Sequence, residues 1–576
     1  MVSDERALAT WLAGRDDTDV AATLAARGIS ASAAWNDFFD AAEALLDPAS
    51  VDRALVRLPR AALAALSAGA AAPHPALTDL ALTDLALTDD AGRPYAPIAE
   101  RVAALRSTHP DAFGAVDPAP SRVPADDRAA AAAAERAFTT AGSLADVLLA
   151  GLHVPFARTG AGSVTAADRK RLTEAGAIRD DDDLEDLLAA ASAAGLAVPA
   201  ERTWLVTDAG EKWLAAPTTE RWARIAEGFR SSLPAGLRAP DGGVLDPATW
   251  ESAYPLDPEW PDRVARYRRI GRQWGLLAAD PAEFAWTTAL REGAPADPTG
   301  LAAHLPAEID RVYLQADLTA IAPGPLAPAL DLRLRGVAAR ESRAQASTYR
   351  FTAESLGAGM TEGETAESIS AFLSTLSLTG IPQPLAYLIE STAARHGLVR
   401  VGLDAATGRT RIETADASLR DTIAVDQALR PLGLLPDADG LVSRAPRDAV
   451  YWSLADARYP VVALDDDGTP ELVRRRAGTA VPPPPPTPSQ TYARLIATLR
   501  GGHGTDGEEG WLGRELEQAV RARSEIVVVV RMPDGSERAF TLEASGLGGG
   551  RLRGRDRAAD IERTLPVSSI ISVRPA

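Results

Sequence analysis

The stretch 312-VYLQADLTAIAPGPLAPAL-330 decides how the middle of this 576-residue chain is read. Val312, Leu314, Ala316 and Leu318 alternate with Tyr313, Gln315 and Asp317, as a half-buried strand requires, because successive side chains point to opposite faces of a sheet. Pro323, Gly324 and Pro325 punctuate its end. One buried strand followed by a turn is the expectation. Downstream, a helix is expected to bear Arg340 and Arg343, and Arg350 falls in an extended pattern that resumes at Tyr349 and Phe351. "AESISAFLSTLS" places Ile369, Phe372, Leu373 and Leu376 on one helical face. Pro382, Gln383 and Pro384 then lead into a helix that starts at Leu385 and carries Tyr387. Further units, "LVRVGL", "RTRIETA", "DTIAVDQALRPLG" and "YPVVAL", keep alternating strand and helix, so 305–476 reads as one mixed α/β domain.

Composition sets the frame for the rest. A chain of this length has room for several domains. Its 46% apolar and 24% charged residues are those of a folded protein, which excludes wholesale disorder. The absence of cysteine removes disulfides, thiol nucleophiles and thiolate metal sites, and fits a reducing cytoplasm. The opening "MVSDERALATWLAGRDD" lacks the basic start and apolar run of a secretory leader, and no run of about 18 apolar residues occurs, so neither export nor membrane insertion is expected. Two lysines, Lys170 and Lys212, stand against 58 arginines, a bias that points to a GC-rich bacterial genome. The formal charge of −19 excludes a generic polyanion binder, so contact with nucleic acid must come from local arginine patches.

Upstream, residues 1–135 read as helical, from "LATWLAGR", "AAWNDFFDAAEALL" and "VDRALVRLPRAALAAL". "LTDLALTDLALTDD" (77–90) repeats with too short a period for a solenoid and is assigned no chemistry. Residues 136–235 give three helices, "SLADVLLAGL", "TAADRKRLTEAG" and "DDLEDLLAAASAAG", then extended "TWLVTD" and a helix "AGEKWLAAPTTERWARIAEGF". That order is the order of a winged helix, with Thr165 and Asp183 at N-cap positions. A groove-reading third helix needs arginine, asparagine or glutamine, and this one carries aspartates instead, so the module is expected to pack against protein. Residues 236–304 form a helical connector in which Arg263, Arg266, Arg269 and Arg272 recur every third residue. This is the best basic stripe in the chain, either a solvated face or a phosphate contact.

"AGTAVPPPPPTPSQ" (477–490) reads as a stiff polyproline linker. Beyond it, residues 491–576 give helices at "TYARLIATLR" and "GRELEQAVRARS", then a hairpin "EIVVVVRMPDGSERAFTLEAS" turning at "PDGS", and short strands closing a small barrel. Arg551, Arg553, Arg555 and Arg557 alternate, so an extended chain puts them on one face.

Several chemistries find no support. A nucleotide motor needs a glycine-rich loop ending in Gly-Lys, and neither lysine follows a glycine. The six histidines (74, 109, 153, 304, 396 and 503) show no zinc-ligand spacing. No GxSxG elbow occurs, and "RDDDD" and "LDDDG" suit turns and caps. No cofactor and no metal are expected.

The words "YLQADLTAIAPGPL" (313–326), "AARESRAQASTYRFTAESL" (338–356) and "GIPQPLAYLI" (380–389) closely resemble the helicase-associated domain at the N-terminus of XPB-type DNA repair helicases and of actinobacterial XPB-like helicase-associated proteins. The resemblance implies a module that engages DNA or docks on a helicase, with Gln315, Asp317, Arg340, Arg343 and Arg350 as polar candidates and Pro323, Gly324, Pro325, Pro382, Gln383, Pro384 and Tyr387 as motif positions. The helicase motor that follows this domain in repair helicases is replaced here by the proline linker. The tail "IVVVVRMPDGSERAFTLEASGL" with "RTLPVSSIISVRP" resembles the WYL domain of bacterial regulators, a small SH3-like barrel, although "GGGRLRGRD" stands in place of its Trp-Tyr-Leu signature. The sequence thus predicts a multidomain α+β, non-catalytic cytoplasmic protein, compatible with nucleoid association. It would bind DNA through local basic patches or partner a separate XPB-type helicase. The alternative is a winged-helix and WYL-type transcriptional regulator that senses an effector.

Overall fold

The computed structural model describes residues 4–68, 83–114, 121–343, 346–404, 407–437, 440–471, 473, 486–503, 508–557 and 559–576. The first six residues of the LTD repeat and most of the proline linker lie outside the described residues. Apolar side chains among the described residues gather into five cores.

The first core is helical, built from Asp4–Gly14, Asp17–Ala26, Phe38–Leu46, Pro48–Val56, Arg60–Ala68 and Ala96–Thr108. Asp16, Asp37 and Asp47 each accept backbone N–H bonds at a helix start, so part of the acidic surplus is spent on capping. Tyr492, Leu495, Ile496 and Leu499 of helix Pro488–His503 belong to this core rather than to the tail in which the sequence placed them.

The second core begins with helix Asp127–His153, which runs without a break through 135–136, the module boundary expected from the sequence. Strand Phe156–Ala157, helices Ala166–Glu174 and Asp181–Ala193, and strands Ala197–Pro199 and Thr203–Val206 follow. The three strands form one antiparallel sheet with Thr203–Val206 in the middle. Thr165 caps its helix as expected. Asp183 does not: Asp180 is the N-cap and accepts from the Asp183 N–H, while the Asp183 carboxylate takes Arg179. The helix expected over 209–229 is two, Asp208–Ala215 and Thr218–Ser232, because Pro217 cannot donate within a helix and holds the residue before it extended. Trp222, Trp250, Trp260 and Trp286 are buried, and each indole N–H donates to a carbonyl at 2.8 Å, on Trp274, Leu245, Trp250 and Gly275 respectively. That pairing offsets the desolvation of these four indoles; Trp274, also buried in this core, has no hydrogen-bond partner for its N–H among the described residues.

The third core corrects two expectations. Residues 312–322 are a hairpin, not one strand: Tyr313–Leu314 and Thr319–Ala322 pair antiparallel around a turn at 315–318. Asp317 accepts from the Thr319 N–H and hydroxyl, Leu318 sits at φ 69°, and the alternation stops at Leu314. Arg340 and Arg343 lie on strand Ala339–Arg343, not on a helix; the preceding helix, Pro328–Val337, ends where Ala338 turns extended. The sheet runs Tyr313–Leu314, Thr319–Ala322, Ser347–Arg350, Ala339–Arg343 and is covered by Pro328–Val337, Ala353–Thr361, Ala366–Leu376 and Gln383–Arg395. Ile369, Phe372, Leu373 and Leu376 face this core as predicted.

The fourth core holds a six-stranded mixed sheet, in order Leu435–Asp437, Gly440–Ser443, Thr410–Glu413, Val399–Leu403, Val461–Leu464 and Pro470–Glu471, with helices Ala417–Val425 and Arg447–Asp456 against it. The fifth is an antiparallel sheet ordered Ile561–Pro566, Arg551–Asp556, Glu537–Gly548, Glu525–Arg531, Ile570–Pro575. It is open, not the closed barrel expected: its two edge strands do not pair with each other. Leu512, Leu516 and Ala519 of helix Glu508–Ala522 cover the apolar face instead, so closure is not needed to hide it. Among the described residues no helix is long and apolar enough to cross a membrane.

Candidate nucleic-acid interface

The candidate arginines fall into three places, and their partners separate them. In the third core, Arg340 is largely buried and grips both Asp146 oxygens at 2.6 Å, while Arg335 reaches Asp146 at 2.8 Å. Asp146 projects from helix Asp127–His153, so this cluster joins two modules. Burial disfavours the Arg340 charge, yet Asp146 and Asp331 outweigh it and hold the guanidinium above its ordinary value. The Tyr349 hydroxyl donates to Asp331 at 2.6 Å; burial, and then the Asp331 charge, push the phenol up. Arg350 pairs with Glu341, and Arg343 is placed on its strand only. Gln315 and Asp317 hold Thr319 in the hairpin turn, and Pro323, Gly324 and Pro325 carry the chain from the hairpin to the next helix. At the other end Pro382 caps helix Gln383–Arg395, Gln383 and Pro384 are exposed on its first turn, and Tyr387 stands 72% exposed.

Residues 312–436 match the family model of the helicase conserved C-terminal domain. Comparison with curated proteins yields no match. This helicase C-terminal-like module extends from the third core's hairpin to the edge strand of the six-stranded sheet, and the likeness is confined to those residues. Of its motif positions, Gln383, Pro384 and Tyr387 are exposed at one helix and Gln315, Asp317 and Pro323 at the hairpin; Arg340 is committed to the neighbouring helix. Sequence reasoning missed Asp146 and Arg335, although a carboxylate amid "SLADVLLAGL", on a helix otherwise apolar toward its core, marks a buried charge in need of a partner.

Within the same module, Arg333 holds Glu364 with two bonds of 2.8 and 3.0 Å. Those bonds, together with one from Ser368, keep the Glu364 carboxyl below its usual value against the opposing effect of burial. A lowered folded value means the pair stabilises above the unfolded value of 4.5 and loses that contribution as pH falls through the folded one. The arginine is nearly half exposed, so the effect is on the order of 1 kcal/mol. Urea unfolding of Glu364→Gln should match wild type at the acid end and be weaker at neutral pH.

The second place is helix Trp260–Gln273. Three of its four stripe arginines are engaged: Arg263 pairs with Asp257 at 2.8 Å, and Arg266 and Arg269 converge on Asp186, whose side chain is fully buried. Arg272 is exposed. The stripe therefore fastens this helix to Asp181–Ala193, and no residue from Asp183 to Ala194 is exposed. That third helix is enclosed by its neighbours, in keeping with the expected packing against protein.

The third place is the C-terminal sheet. Arg551, Arg553 and Arg555 lie on its exposed face while Leu552, Gly554 and Asp556 point inward, so the predicted shared face exists. Arg555 is paired with Asp560 and Arg557 with Glu543. Arg551 and Arg553 have no ion pair or side-chain hydrogen bond among the described residues. Opposite them across the strands stand Gly548 and Gly546, and Gly549 and Gly550 turn the chain at φ 60° and 72°. A Cβ at any of these four glycines would meet nothing within 4 Å, so both guanidinium groups border open, bare backbone. Residues 523–576 carry nine arginines against seven carboxylates, a local excess in a chain of net −19.

Proposed function

We propose that this chain is a non-catalytic, helicase-related factor in DNA metabolism, of the XPB-like helicase-associated kind, which binds DNA and works with a motor supplied by a separate helicase. The observation that carries the reading is the match of 312–436 to the helicase conserved C-terminal domain. The absence of any Gly-Lys pair in the sequence supports a chain without a phosphate-gripping loop. In this reading the exposed face at Gln383, Pro384 and Tyr387 meets the helicase, and Arg551 and Arg553 of a WYL-like tail meet phosphate. Residues 136–235 are a winged helix turned to structural use, and the protein resides in the cytoplasm, in DNA repair. The regulator alternative needs helix Asp181–Ala193 in a DNA groove, and its enclosure among neighbouring helices weighs against that.

The test is DNA binding across a salt series. Wild-type affinity should fall with salt, and Arg551→Ala with Arg553→Ala should weaken binding and reduce the log–log slope by about 0.7–0.9 per arginine removed. No binding at low salt would remove DNA contact from the proposal. ATP hydrolysis by the isolated chain, with or without DNA, would overturn the assignment of the motor to a partner.

A further inference from the structure

Helix Pro488–His503 follows the linker in sequence yet packs where the chain begins. It meets the N-terminal helices as a bound amphipathic helix does, with Tyr492, Leu495, Ile496 and Leu499 buried at i, i+3, i+4 and i+7, and Ala493, Arg494, Ala497 and Thr498 exposed. Its polar anchors sit at both ends. The Tyr492 hydroxyl donates to the Ile29 carbonyl at 2.6 Å, 463 positions away in sequence. The Arg500 guanidinium donates to the Ala13 and Arg15 carbonyls at the end of helix Asp4–Gly14, pairs with Asp17 at 3.0 Å and lies over the Phe38 ring. A cation there complements the negative end of that helix. Gly502 approaches so closely that a Cβ would lie 2.2 Å from the Asn36 carbonyl. Arg514, on the next helix, pairs with Asp37 and Asp40.

We propose that the N-terminal module is a receptor for an amphipathic helix and that residues 488–503 are its occupant in cis, a latch that joins the two ends of the chain into one body. Of the thirty buried residues in this core, twenty-six come from residues 8–113 and four from the latch, so the module keeps a core of its own when the helix leaves. Detachment would free the C-terminal sheet and its arginines from the N-terminal helices.

The test uses the full chain with a site-specific protease sequence inserted within 477–485. After complete cleavage the two fragments should migrate together in size-exclusion chromatography, at the mass of one chain. Leu495→Asp combined with Leu499→Asp should let them separate after cleavage, while the uncut variant keeps the wild-type circular dichroism spectrum. Separation of wild-type fragments, or continued association of the variant's, overturns the latch. An uncut wild-type dimer that the same substitutions reduce to monomer would seat the helix on a second copy and overturn its assignment in cis.

Discussion

Asp146→Ala is expected to destabilise the contact between the long helix and the helicase C-terminal-like module by about 3–5 kcal/mol, the cost of leaving buried charge without its partner. The carboxylate is nearly buried and answers two guanidinium groups, each with less than a fifth of its side chain exposed. Removing it leaves Arg335 and Arg340 beside each other, with the more distant Asp331 as their remaining ion-pair partner among the described residues. Asp146→Asn keeps the shape and loses the charge, so it should recover only a minor part. Urea unfolding followed by circular dichroism measures both, and a shift for Asp146→Ala no larger than that of a surface aspartate would show that the cluster contributes nothing. Replacing the whole set with apolar residues of similar volume should cost far less than breaking it, because desolvation offsets much of what a buried ion pair contributes.

Trp260→Ala should cost a similar amount, about 3–5 kcal/mol, for a different reason. The ring is 1% exposed, touches Tyr254 at 4.5 Å between centroids and carries Arg263 over its face. Its loss opens a cavity and removes one of the two hydrogen bonds to the Trp250 carbonyl, which still accepts from the Ala253 N–H. Trp260→Phe retains most of the apolar area but not the hydrogen bond, and about 0.5–1.5 kcal/mol is the expected penalty. Calorimetry on both variants separates cavity from hydrogen bond, and equal losses would rule out that division.

What the sequence revealed follows periodicity closely. Helical faces such as Ile369, Phe372, Leu373 and Leu376 were readable because burial repeats at helical spacing. So was the arginine face of strand Arg551–Asp556, because alternation survives where one side is covered. The hairpin at 312–322 was not, since Ala316 and Leu318 continue the apolar alternation through a turn that Asp317 imposes by local hydrogen bonding. The fate of the stripe arginines was equally hidden: spacing placed Arg266 and Arg269 near one face, but only the fold brings Asp186 to meet them from 80 or more residues away. Basic spacing alone does not distinguish a phosphate contact from an internal ion pair. Tail closure was not legible for a related reason: the helix at "GRELEQAVRARS" was readable, but not that its apolar face would cover the sheet in place of closure.

The unbroken helix Asp127–His153 has a mechanical consequence. Twenty-seven residues at 1.5 Å each make a rod of about 40 Å. Arg136 and Thr140 brace its flank against the carbonyls of Arg272 and Gln273, and Asp146 sits further along, clasped by the neighbouring module. The contact at Arg340 therefore bears on an unbroken rod that also carries part of the tryptophan-lined core, with no helix break between the two.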